Sequence, residues 1–75
     1  MTEDVFESAA RSYERAAEEL ERAVAHLRVT AQHFRDRDVP RGCAHAFAAQ
    51  GHVTGAQNLL DELARLHASR ARPEI

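Results

Sequence analysis

The sequence predicts an all-α protein: an antiparallel two-helix hairpin, over about 3–37 and 40–72, that assembles as a dimeric four-helix bundle. Three observations carry this expectation. An apolar residue recurs every seven positions through the first half of the chain. A single strong helix break, Asp38-Val39-Pro40, sits near the midpoint. The second half has an apolar face too broad for one neighbouring helix to cover.

The first helix is the clearer. Phe6, Tyr13, Leu20, Leu27 and Phe34 recur at an unbroken spacing of seven, each of the first four followed four residues later by Ala10, Ala17, Val24 or Ala31. Alternating steps of three and four are the signature of a packing seam on one face of a helix. Ala9, Ala16 and Ala23 widen the stripe on one side. Glu3, Asp4 and Glu7 suit the positive end of the helix dipole, and Arg35 and Arg37 suit the negative end. Glu7–Arg11 and Glu18–Arg22 have the four-residue spacing of helical ion pairs. No glycine or proline interrupts the segment.

At the break, Pro40 disfavours helical geometry at Val39 and fits the first turn of a new helix. Asp38 is the better N-cap chemically, because its carboxylate accepts from the free N–H groups of the first turn. So short a connection implies antiparallel neighbours.

The second helix carries two adjacent stripes. One is His45, Ala49, His52, Ala56, Leu59, Leu63 and Leu66; the other is Cys43, Ala46, Phe47, Val53, Leu60, Ala64 and His67. Gly51 and Gly55 each cost a helix about 1 kcal/mol. Thr54 and Gln57 have capping-box spacing. The alternative is therefore three helices, with a break near Gly51–Thr54. Phe47, Gly51, Ala56 and Leu60 resemble the aromatic–Gly–Ala–apolar spacing of a tetratricopeptide repeat, over at most residues 41–72. That resemblance implies a helical pair, but no second copy follows, and a solenoid needs about three repeats. The continuous helix is the favoured expectation, with residues 73–75 a frayed tail after Pro73. Residues 1–75 then form one domain.

Composition limits function. With 75 residues the chain buries only about 60% of its unfolded surface and is marginal alone. One cysteine, Cys43, excludes an intramolecular disulfide and favours a reducing compartment. No apolar run approaches the roughly 18 residues of a membrane span, and the acidic N-terminus is unlike a signal peptide, so the expected location is cytoplasmic. A net charge of −2 argues against a nucleic-acid partner. All ten basic residues are arginine, which with the heavy use of alanine fits a high-GC bacterial genome rather than a set of phosphate clamps. A membrane surface is disfavoured because the charged face mixes signs and lacks lysine.

No catalytic arrangement emerges. Ser8, Ser12 and Ser69 lie near the chain ends, and Gly42, Gly51 and Gly55 form no phosphate-binding loop. The cluster Glu18, Glu19 and Glu21 is expected on the solvated face. The chain is therefore expected to be non-enzymatic. Four histidines stand out because His26 and His52, and His33 and His45, are equidistant from Val39. In a hairpin each would face the other. The pair His33–His45, with Asp36 nearby, is the better candidate for a transition metal such as zinc; His26–His52 is the second. Either would need further ligands from a second chain. The more ordinary expectation is that the histidines pack, partly buried, in the helical interface.

Association is the main functional expectation. A disulfide-free hairpin with one layer of helices is under-stabilised, and pairing two of them with twofold symmetry is the usual solution. Phe6, Tyr13, Leu20, Leu27, Phe34, Leu59, Leu63 and Leu66 are the expected oligomer contacts. The expected partner is a second copy, or a helix of another protein.

Overall fold

The computed structural model describes residues 4–74. Two helices, α1 (Val5–Arg35) and α2 (Val39–Arg70), pack as an antiparallel hairpin measuring 55 × 31 × 14 Å. At 14 Å thick it is a single layer of helix. The expected start of α1 at residue 3, the role given to Glu3, and Ile75 of the expected tail lie outside the described residues; Ala71–Glu74 are non-helical.

Asp4 caps α1, its Oδ1 accepting from the Phe6 amide at 2.8 Å. The helix ends in a tight C-cap. Asp38 N–H donates to the His33 carbonyl and Arg37 N–H to the Phe34 carbonyl, at 2.8 and 3.1 Å. Arg37 takes the left-handed position, φ 62°, which such caps usually give to glycine. Asp38 then caps α2, accepting from the Arg41 amide at 3.2 Å, with Pro40 in the first turn. The turn is thus built from the residues that the sequence marks for it.

α2 runs unbroken through Gly51 and Gly55, so the three-helix alternative does not hold. The packing of α2 onto α1 supports the helix where propensity is weakest. Gly55 has a local use. A Cβ there would come within 3.2 Å of the Glu19 carboxylate, whereas a Cβ at Gly51 would meet nothing within 4 Å. At Gly42 a Cβ would come within 2.6 Å of the Phe34 ring, so a larger residue there would have to displace that ring beside the turn.

The two helices meet along small and polar side chains. The buried apolar residues, among those described, are Ala16 and Ala23 from α1 with Ala49, Ala56 and Leu63 from α2. On α1 the seam is not the stripe of large residues. Phe6, Tyr13, Leu20, Leu27 and Phe34, the expected oligomer contacts, are all exposed, Phe6 at 83% and Leu27 at 52%, although Tyr13 reaches His67 and Phe34 covers Gly42. The margin of that stripe, Ala16 and Ala23, is the seam. Alanines on both sides let the backbones approach, which leucine or phenylalanine at the same levels would prevent. In α2 the expected first stripe is the seam. Leu63 is only 5% exposed and Leu59 and Leu66 are half-buried. With Val5, Ala9 and Ser12 they line a cleft of about 430 Å³ at the open end.

Candidate functional site: a histidine seam beside an apolar side

Toward the turn the seam is filled by imidazoles. The seven-residue repeat that places Ala16 and Ala23 inside also places Glu19, His26 and His33 there, and the repeat through Ala49 and Ala56 places His45 and His52. Both mirrored pairs meet: the rings of His26 and His52, and of His33 and His45, are stacked with centroids 5.4 Å apart. A third contact links the pairs, His26 Nδ1 to His45 Nδ1 at 2.9 Å. At the far end His52 Nδ1–H donates to Glu19 Oε2 at 2.7 Å. The result is one continuous ladder, Glu19–His52–His26–His45–His33, in which every member is half-buried.

The ladder has definite proton chemistry. A short Nδ1···Nδ1 contact needs one N–H and one lone pair, so His26 and His45 hold their contact with one Nδ1 proton between them and lose it with two. Glu19 is the carboxylate at the end of the row. The hydrogen bond from His52 holds its carboxyl below the usual carboxylate range. Burial opposes that shift, and the charges of His52, Arg22 and Arg15 reinforce it. Arg22 approaches Glu19 at 3.5 Å, in place of the expected Glu18.

Glu19 is the residue that sequence reasoning missed, having been assigned to the solvated face with its acidic neighbours. Its signal was present: it lies three residues after Ala16 and seven before His26. Asp36 moves the other way. It is exposed at the C-cap, its Oδ1 accepting from Gln32 at 3.1 Å, and is not gathered with His33 and His45. Cys43 is half-buried with a free thiol. Among the described residues, no group of three or more His, Cys, Asp or Glu side chains is placed to hold a metal ion.

The large apolar residues lie beside this seam. In an antiparallel pair a one-residue step, about 100°, turns both helices' side chains toward the same side of the layer. One residue after Glu19, His26 and His33 come Leu20, Leu27 and Phe34; one residue after His45, His52 and Leu59 come Ala46, Val53 and Leu60. The Tyr13–His67 contact confirms the geometry: these residues follow Ser12 and Leu66, and their side chains hydrogen-bond at 2.9 Å and stack across the helices. One residue before the seam lie Arg15, Glu18 and Arg22 on α1 and Arg41, Asn58 and Arg65 on α2. One side of the hairpin is thus rich in large apolar residues, interrupted by Gln50 and Gln57, and the other mixes these polar residues with Ala25, Val29, Ala44 and Ala48. Phe47 stands apart, exposed on the outer surface of α2.

No described helix is long and apolar enough to cross a membrane. Comparison with protein-family models, with curated proteins and with solved structures finds no match to this chain.

Proposed function

We propose that this chain is a self-associating helical module whose role is structural or one of protein–protein interaction, without catalysis. The observation that carries the reading is the apolar side. A domain is ordinarily built from at least two packed layers around a common core. This hairpin is one layer, with alanine methyls, imidazoles and Leu63 inside and Leu20, Val24, Leu27, Phe34, Val53 and Leu60 outside. A buried methyl is worth about 0.8 kcal/mol, and a fully buried leucine, valine or phenylalanine about 1.5–3 kcal/mol. The larger part of the available burial therefore awaits a second layer. A second copy supplies that layer without any other protein; a helix of another protein is the remaining occupant. The test is the solution mass at micromolar concentration by light scattering. A dimer or larger species is expected, and a fully helical monomer contradicts the reading.

A second reading, in which the histidines bind a transition metal such as zinc, is favoured by one contact. The Nδ1 atoms of His26 and His45 converge to 2.9 Å; two ligands of a tetrahedral ion with bonds of about 2.0–2.1 Å stand about 3.3 Å apart, so the pair would have to open slightly to admit one. Remaining ligands would have to come from elsewhere. Elemental analysis of untagged protein decides: stoichiometric metal supports this reading, and its absence together with an unchanged melting temperature on adding zinc removes it.

A further inference from the structure

The apolar stripe of α1 is bordered by a row of charges. Glu7, Glu14, Glu21, Arg28 and Arg35 each follow one residue after Phe6, Tyr13, Leu20, Leu27 and Phe34, so they share one edge of the stripe. All five are exposed, and the ion pairs among the described residues (Arg22–Glu19, Arg41–Asp38 and His52–Glu19) involve none of them. The row is acidic toward the N-terminus and basic toward the C-terminus. The helix dipole favours that order only in the first and last turns, and Glu14, Glu21 and Arg28 lie in the interior. A row whose sign reverses along its length matches a copy of itself only when the copy is inverted.

We propose that a second copy of this chain docks on the apolar side with its α1 antiparallel to the first, about a twofold axis at Leu20–Glu21. This rests on the self-association reading and adds the geometry. The axis sets Glu7 opposite Arg35 of the second copy and Glu14 opposite Arg28, each pair occurring twice by symmetry. Glu21 meets its own copy, the single like-charged contact in the row. The apolar stripe accepts the same inversion: Phe6 meets Phe34 of the copy, Tyr13 meets Leu27, and Leu20 meets itself, with the alanines between them.

The same axis serves α2. The His52–Glu19 hydrogen bond holds those residues at one level, and the residues that follow them, Val53 and Leu20, are the midpoints of their stripes. About Val53, Ala46 meets Leu60 of the copy and Val39 meets His67. The turns then lie at opposite ends of the bundle. The other face-to-face arrangement, with the turns at one end, sets α1 on α2 of the copy. There the charged row would border Pro40, Phe47, Thr54, Asp61 and Ala68, which offer the glutamates no base.

The experiment is a charge swap read by native mass spectrometry, with helicity followed by circular dichroism. Glu14→Arg and Arg28→Glu are each expected to weaken the dimer about tenfold, since each replaces two attractive pairs by two repulsive ones. Mixing the two variants should restore parent-like stability in a heterodimer, and both changes in one chain should restore it in a homodimer. In the rejected arrangement Glu14→Arg, facing Asp61, tightens the dimer. Tightening, unchanged singles, or a mixture with no preference for the heterodimer overturns the antiparallel docking and leaves self-association standing. A monomeric parent chain overturns both.

Discussion

The seam between α1 and α2 and the side next to it are one residue apart in sequence and opposite in character. The seam is alanine, histidine and glutamate toward the turn, with Leu59, Leu63 and Leu66 toward the open end; the neighbouring side carries leucine, valine, phenylalanine and tyrosine. In a self-sufficient hairpin the assignment would be reversed, with the large side chains between the helices and the polar ones in water. The seam sets close approach and register, and the apolar side holds most of the burial not yet used. The hairpin is in that sense half of a core.

Changes on the two surfaces should fail in different ways. Leu20→Asp with Leu27→Asp removes two large apolar groups from each copy. It is expected to weaken association by at least roughly a hundredfold, and to lower helicity with it. A dimer of parent-like affinity would show that the contact surface lies elsewhere. Ala56→Leu acts on the seam. Ala56 is 1% exposed, and extra atoms there must push the helices apart, at a cost of about 1–3 kcal/mol in chemical denaturation. If the loss is below a few tenths of a kcal/mol, the seam is looser than its alanines imply.

The smallest effect concerns the ladder, and it depends on pH. Because the Glu19 carboxyl is held below its usual range, its contribution is complete above the ordinary carboxylate range and is lost only as pH falls below that range. The deficit of Glu19→Gln relative to the parent is therefore expected to be constant above the ordinary carboxylate range and to close as pH falls below it. Parallel melting curves at every pH would remove the ladder from any role in stability.

The sequence made the hairpin legible because its signals are local. Asp38 and Pro40 mark the turn, and the repeats through Leu27 and Leu63 mark the helices. It left open which of two adjacent stripes on α1 faces α2, since periodicity locates an apolar face and says nothing about what covers it. Stripe size misled there, because the Leu20 stripe is the larger and the Ala16 stripe fits more closely against α2. A usable signal was the mirror symmetry. Ala16 and Ala56, and likewise Ala23 and Ala49, are equidistant from residue 36, much as the histidine pairs are from residue 39. Glu19 was hidden by its acidic neighbours, and Asp36 was misplaced because nearness in sequence to His33 does not turn a C-cap side chain into the seam.

The central claim is that folding of the hairpin and its association are one process. Mass by light scattering and helicity by circular dichroism, followed on the same sample through dilution, test it most directly. The account predicts a species of at least twice the 8.4 kDa chain mass that loses helicity as it dissociates. A chain that reaches 8.4 kDa with its helicity intact would contradict it.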